Sequence, residues 1–428
     1  MVGRYAVYAA NLISMMILAR LFTPEQFGVV AAIQVFFLFF QVMAEAGLGP
    51  AIINVTKLEV NDRNGLFGLT VFVGCLLSIG FYFSAPLFSA FYGIARIDEI
   101  VPYATWSLFF FAASIVPNAL LQREQAFFRI ANAGLVAELL STLLTVILIK
   151  WFDPLYVLAG KISFSALSSF VLLYYFSANT EFGRPKLGIK FSAIMPLLSF
   201  SLYQFGFNVV NYFSRNLDNV LIGKYLGAAS LGVYDKAYQL MKYPLMLLTF
   251  AMTPAIQPVI RKYANDIDKI ERIHRLFTFK LSLLGASAGL SIFLLADWIV
   301  LFVLGQQWVQ VIPIIEVLSI SVPVQIVLST SGSFFQALNR ANLLFYSGVF
   351  SAVIMVLAIL FGIYKRDMVV LSWALVGAFH INFIQAYTIL YIKVFKKNFF
   401  GFAISMVPAV CVVLVIAYLA LDKIYDLF

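Results

Sequence analysis

The stretch FGVVAAIQVFFLFFQVMAEAGLGPAII, residues 27–53, holds one ionisable side chain, Glu45, in 27 positions. About 20 apolar residues suffice for a helix to cross the hydrocarbon core of a bilayer, so this run reads as a membrane span. Comparable runs recur near 2–20, 65–90, 99–121, 132–152, 154–177, 193–223, 229–260, 277–304, 309–338, 341–364, 368–393 and 400–422, about thirteen in all. The composition agrees, because the 428 residues are 62% apolar and only 11% charged, roughly half the charged share of a soluble protein. The expected fold is therefore an all-α polytopic membrane protein.

Several function classes fall away on the same grounds. The net charge of +9 would suit nucleic acid in a soluble chain, but here it reports basic cytoplasmic loops. Cys75 and Cys411 each sit inside an apolar run, so neither a disulfide framework nor a thiolate metal site is implied. Residues 2–21 contain Arg4 and then a long apolar body with no small-residue cleavage pattern, which reads as a retained span. No connector exceeds about 16 residues, and neither a Walker-type phosphate loop nor a His/Cys metal cluster is visible. We expect no enzyme, no catalytic residues, no cofactor and no metal.

Positive charge gathers on alternate loops, including Lys57, Arg63, Arg123, Arg129, Arg184, Lys186, Arg261, Lys262, Arg340 and Lys393. The positive-inside rule makes those loops cytoplasmic, with the N-terminus inside and the C-terminus outside. The sequence also repeats weakly at an offset of 204: Arg20, Gly28, Pro50, Ala51 and Ile52 recur as Lys224, Gly232, Pro254, Ala255 and Ile256. Six spans separate equivalent positions, so the halves are expected to be parallel repeats related by an axis along the membrane normal. The expected organisation is a first six-helix lobe over 1–180, a linker over 181–192 with Gly183, Pro185 and Gly188, a second six-helix lobe over 193–396 and one further helix in 397–428.

A charge at mid-bilayer costs at least about 2.5–3.5 kcal/mol and so marks a partner or a wet cavity. In the seventh span Gln204, Asn208, Asn211, Arg215 and Asp218 are spaced 4, 3, 4 and 3 along one helical face. In the eighth, Asp235, Gln239 and Lys242 share a face beside Lys236 and Tyr238. Pairing of Asp218 with Lys236, or Arg215 with Asp235, suits the depths counted from Gly227. Two readings stay open, ion pairs that hold a hairpin and a cavity lining. The surplus cation favours the lining, with Lys242 as the anion contact. In the first lobe, Gln34, Gln41 and Glu45 mark the second span, Glu138 the fifth and Lys161 the sixth, while Arg4, Tyr8 and Asn11 share a face of the first. Glu45 is either a coupling carboxylate or the cap of the Gly47 to Pro50 turn. His380 is expected to pack by hydrogen bonding. His274 is expected in a charged loop, Arg261 to Arg275, resting on lipid headgroups. Asp297 and Glu316 are expected near the outer ends of their spans, within reach of water. Tyr8, Tyr203, Tyr212 and Tyr238 either stack on sugar rings or pack.

LARLFTPEQFG at 18–28, EAGLGPAII at 45–53, NLDNVLIGKYLG at 216–227 and LGVYDKAY at 231–238 resemble the bacterial polysaccharide transporter family. These are the O-antigen, colanic-acid and teichuronic-acid type exporters of the multidrug/oligosaccharidyl-lipid/polysaccharide flippase superfamily. The resemblance covers essentially the whole chain. It implies a two-lobed alternating-access flippase that moves a polyprenyl-diphosphate-linked oligosaccharide to the outer leaflet of the bacterial cytoplasmic (inner) membrane. It also marks Arg20, Glu25, Gly28, Glu45, Asp218, Gly223, Gly227, Gly232 and Tyr234 as family positions. Two departures are a short stretch before Arg20 and about thirteen spans where relatives have twelve or fourteen. A diphosphate needs fixed cations, so Arg215, Asp218, Lys236, Lys242, Asp235, Asn211, Asn208, Asn11 and Arg4 are the expected substrate contacts. Glu45, Asp218 and Arg20 are the expected coupling or gating groups. The expected partners are the lipid-linked substrate, membrane lipids and a polysaccharide polymerase with other assembly proteins, and not nucleic acid. The alternatives are a cation-coupled multidrug exporter, expected to have an acidic or neutral cavity, and a membrane-embedded glycan polymerase or ligase, which would need a large outer loop.

Overall fold

The computed structural model describes residues 2–45, 48–54, 58–189, 195–250, 256, 260, 263, 266–338 and 340–425. The described residues are mostly helical, with turns between the helices and no strand. Among them eight helices are long and apolar enough to span a membrane, or nine when one bent pair is counted as a single span. The residues form two compact units, Met1–Gly232 and Val233–Phe428.

The first unit contains α1 (Val2–Leu21), α2 (Pro24–Glu45), α3 (Leu48–Asn54), α4 (Val60–Phe83), α5 (Ala85–Tyr92), α6 (Arg96–Arg123), α7 (Phe127–Leu148), α8 (Pro154–Ser177) and the start of α9 (Met195–Phe250). Its entry points follow local chemistry. Asp153 caps α8 by accepting from the Leu155 amide at 2.8 Å, and Pro154 takes the first turn, where its missing N–H is harmless. Within the run 27–53 the described residues form α2 and, from Leu48, the helix α3. One expected single span of this unit is broken. The run 65–90 divides at Ser84 into α4 and α5, with Pro86 opening the second piece.

The expected linker, described as far as residue 189, lies along the start of α4. The Lys186 amide donates to Asn64 Oδ1 at 2.9 Å, and a Cβ at Gly188 would come within 2.7 Å of the Asn64 carbonyl carbon. Only glycine permits that approach. The contact division assigns this stretch and the start of α9 to the first unit.

In α9 the backbone leaves helical geometry at Gly227 (φ 86°, ψ 173°), the expected turn between the seventh and eighth spans. The second unit continues with α10 (Ile267–Leu294), α11 (Ala296–Val303), a 3₁₀ turn at Gln306–Trp308, α12 (Val311–Ser319), α13 (Val322–Ala337), α14 (Ala341–Lys365), α15 (Met368–Ile389) extended by a π-helical turn at Leu390–Phe395, α16 (Phe400–Ser405) and α17 (Val407–Tyr425). The tenth expected span is a pair, α12 and α13, bent by 59° just before Pro323.

Two expectations for this unit are corrected. The segment 261–275 is not a loop throughout: from Ile267 it is helix, with Asp266 accepting from the Lys269 amide at 2.9 Å. On that helix Ile270, His274, Thr278 and Leu281 form one fully buried stripe, and the charges lie around it. His274 is thus core, its Nδ1 2.9 Å from the Tyr391 hydroxyl and its ring among Phe334, Tyr387 and Phe402. Glu316 is buried rather than water-exposed, while Asp297 is exposed as expected.

Candidate functional site

Three polar stripes converge inside the first unit. On α2, Phe37, Gln41 and Glu45 recur every four residues. On α6, Ser107, Phe111, Ser114, Asn118 and Gln122 follow at 4, 3, 4 and 4, and on α8 Lys161, Ser165 and Ser169 again recur every four. Each spacing returns to one face of a helix. These faces line two partly open cavities. One, of about 420 Å³, is lined by Gln41, Ser107, Lys161, Ser165 and Ser169. The other, of about 290 Å³, is lined by Glu45 and Gln122. Phe111, Ser114 and Asn118 line both. Asn118 Oδ1 is buried and has no hydrogen-bond partner among the described residues.

An ion pair borders this chamber. Lys161 Nζ lies 2.9 Å from Glu138 Oε1, with the two side chains 15% and 17% exposed. From Glu138 a chain of polar groups runs through the Thr142 hydroxyl, 3.5 Å away, to Ser14 on α1 at 2.7 Å. Three helices are therefore joined by side-chain polar contacts, each needing its partner because hydrocarbon offers none. Breaking such a pair is expensive, but the pair itself is close to neutral and leaves the chamber without a large net field.

The expected site residues are distributed as follows. Glu45 closes α2 and lines the smaller cavity, with Oε1 3.3 Å from where a Cβ at Gly49 would stand. Asn11 is half-buried on α1, one turn before Ser14, and Arg20 is exposed at the end of that helix. Asp218 is buried and its Oδ1 accepts from the Asn219 amide at 2.9 Å. The side chains of Arg4, Asn208, Asn211 and Arg215 lie outside the described residues.

In the second unit Asp235, Lys236 and Gln239 bond one another. Lys236 Nζ is 3.2 Å from both Asp235 Oδ2 and Gln239 Oε1, and Gln239 Nε2 donates to Asp235 at 2.9 Å. Lys236 is buried, so this pairing inside its own helix answers most of its desolvation. Lys242 is exposed, with its ammonium 4.5 Å from the Tyr238 ring centroid. Tyr238 in turn stacks on Tyr234, and the Tyr212 hydroxyl of the first unit donates to the Val35 carbonyl. His380 packs as expected, its Nδ1 2.8 Å from the Val376 carbonyl.

Sequence reading named Glu138 and Lys161 singly but missed their pairing and the serine and asparagine stripes on α6 and α8. The signal was the four-residue spacing, which was counted on charged spans and not on neutral ones.

The comparisons extend this picture. Residues 17–313 match a family model described as polysaccharide biosynthesis protein. The teichuronic acid biosynthesis protein TuaB of Bacillus subtilis is 26% identical over 315 residues, 73% of this chain and 64% of that protein. The lipopolysaccharide biosynthesis protein WzxC of Escherichia coli is 23% identical over 364 residues, 83% of this chain and 72% of its own length. The fold is similar to that of a structure described as the lipid II flippase MurJ, inward closed conformation, at TM-score 0.73 and 14% identity over 99% of both chains. An inward-facing multidrug resistance transporter of the MATE family aligns at TM-score 0.68 and 15% identity, over 91% of this chain and 95% of that one. A helical, multi-pass membrane chain with a polar chamber among its first spans, matched over more than half its length by one family model, belongs to the polysaccharide biosynthesis protein family.

Proposed function

We propose that the protein is a flippase that carries a polyprenyl-diphosphate-linked oligosaccharide across the bacterial cytoplasmic membrane during surface polysaccharide synthesis. The observation that carries this reading is the chamber bordered by Lys161 and Glu138, about 420 Å³ whose walls mix the hydroxyl and amide groups of Gln41, Ser107, Ser114, Asn118, Ser165 and Ser169 with apolar side chains. A bundle that only spanned the bilayer would fill that volume with apolar side chains. Polar walls serve a cargo whose sugars and phosphates must leave water. The similarity to TuaB and WzxC, both named for polysaccharide biosynthesis, supports the same cargo class.

Transport then proceeds by alternating access, with the prenyl tail remaining in lipid while the head enters the polar interior. Arg215, Asp218, Asp235, Lys236, Lys242, Asn208, Asn211, Asn11 and Arg4 supply the head contacts, and Glu45, Asp218 and Arg20 couple or gate the change. The chain performs no covalent chemistry and hands its cargo to a separate polymerase on the outer face. The test is reconstitution: purified protein in vesicles exposes a fluorescent lipid-linked oligosaccharide to an impermeant lectin in the flippase reading. No exposure, together with efflux of cationic dyes, would instead support a multidrug exporter.

A further inference from the structure

A further cavity in the first unit, on a different side of α6 and α8, has the opposite character. Its volume is about 650 Å³, within the usual range for ligand sites, and Trp106, Phe110, Phe152 and Phe164 contribute its rings. Three of its other lining residues leave room for it. Pro102 interrupts the α6 ladder, and Gly160 and Ser163 leave α8 without bulk at that height. A Cβ at Gly160 would touch only the Phe164 ring, at 3.7 Å. Lining residues run from Tyr156 to Leu167 on α8, about 16 Å at 1.5 Å per residue. That is the depth of one leaflet in a core about 30 Å thick.

The open end of the groove, which the positive-inside rule assigns to the outer face, carries a charged rim. Arg96 Nη2 bonds Asp153 Oδ2 at 2.9 Å and Arg96 Nε lies 3.6 Å from Glu99 Oε2. Tyr156 joins rim to groove: its hydroxyl donates to Glu99 at 2.8 Å while its ring stacks on Tyr103 with centroids 5.1 Å apart. Arg96, Glu99 and Asp153 are 45%, 49% and 38% exposed, so each keeps hydrogen-bonding capacity toward solvent or a headgroup. One cation beside two carboxylates suits a headgroup that brings both an ammonium and a phosphate. An anionic headgroup would meet an excess of negative charge, and a long polyisoprenoid would overrun a groove one leaflet deep.

We propose that this groove holds one acyl chain of an outer-leaflet zwitterionic phospholipid of the phosphatidylethanolamine type, with its ammonium between Glu99 and Asp153 and its phosphate at Arg96.

Native mass spectrometry of the detergent-purified full chain tests this, with phosphatidylethanolamine, phosphatidylglycerol and a polyprenyl phosphate each added in turn. The expected result is retention of one phosphatidylethanolamine about fivefold better than phosphatidylglycerol, the scale of one exposed ion pair. Glu99→Gln combined with Asp153→Asn should erase that preference, and Gly160→Leu should lower retention of all three lipids by filling the groove. Equal or better retention of phosphatidylglycerol by the wild type, or loss of polyprenyl phosphate in step with phosphatidylethanolamine in the rim variant, would overturn the proposal. So would an unchanged profile in the folded variants. Should Gly160→Leu fail to fold, the rim variant decides alone, because it alters only surface side chains and Asn preserves the α8 cap.

Discussion

Gly28 and Gly232, equivalent positions of the internal repeat, face each other backbone to backbone. A Cβ on Gly28 would lie 1.7 Å from the Ala228 carbonyl oxygen and 3.0 Å from the Gly232 nitrogen; one on Gly232 would lie 2.0 Å from the Pro24 oxygen and 3.0 Å from the Gly28 nitrogen. Pro24 and Ala228 are themselves 204 positions apart, so the contact maps onto itself when the two copies are exchanged. Self-complementarity of this kind marks a local two-fold relation. Small residues at such a crossing let helices associate in lipid, where apolar burial offers no drive.

Gly28→Ala or Gly232→Ala therefore has to push two helices apart. We expect a loss of about 1–3 kcal/mol, the range for overpacking, seen as a lowered melting temperature in detergent. Equal melting of the wild type and both variants would contradict the contact.

The Lys161–Glu138 pair should behave as a unit. Lys161→Met or Glu138→Leu alone leaves one charge unmatched and is expected to cost about 1–3 kcal/mol, discounted from the fully buried case because both groups keep some exposure. The double variant should recover most of that loss. A thermodynamic cycle showing simple additivity would mean that the two groups do not interact.

Glu45 borders the smaller cavity beside Gln122 and Asn118. In the coupling role, Glu45→Gln should fold normally and flip cargo at a rate that no longer responds to an imposed proton gradient. A variant that fails to fold, with export by the residual folded fraction still gradient-dependent, would assign Glu45 to capping the helix end.

Asp153 offers a pH test outside the spans. Burial works to raise its carboxyl, but the Leu155 amide and the Arg96 guanidinium outweigh that and hold it below the usual carboxylate range. A carboxyl depressed in the folded state stabilises the fold above its unfolded value of about 3.9, and the benefit fades as pH falls through the lower folded value. Asp153→Asn keeps the cap without the charge. Melting of the wild type should exceed that of the variant at pH 6 and converge with it below about pH 4. A gap independent of pH would remove the carboxylate from the account.

The fold was largely legible because apolar runs of membrane length have few alternative structures. What stayed hidden were the breaks. Hydropathy runs straight through Ser84 and through the bend before Pro323, since a kink changes direction without changing composition. His274 was misplaced for a related reason: Arg272 and Arg275 make its neighbourhood look wet in sequence, yet on a helix they occupy another face. The repeat announced that Gly28 and Gly232 are equivalent but not that they touch, because equivalence under an axis carries no distance. At the site, charged residues drew attention to the seventh and eighth spans, and the neutral Ser, Asn and Gln of the fourth and sixth spans, which share the chamber walls with apolar side chains, carried no charge to mark them.

The most direct measurement is lectin-detected flipping of a lipid-linked oligosaccharide by vesicles containing the Lys161→Met/Glu138→Leu double variant, whose stability the cycle above establishes. If the polar chamber carries the cargo head, this folded protein flips at least about tenfold more slowly than wild type, the loss expected when a charge-assisted contact is removed. Flipping at the wild-type rate would show that the cargo passes elsewhere.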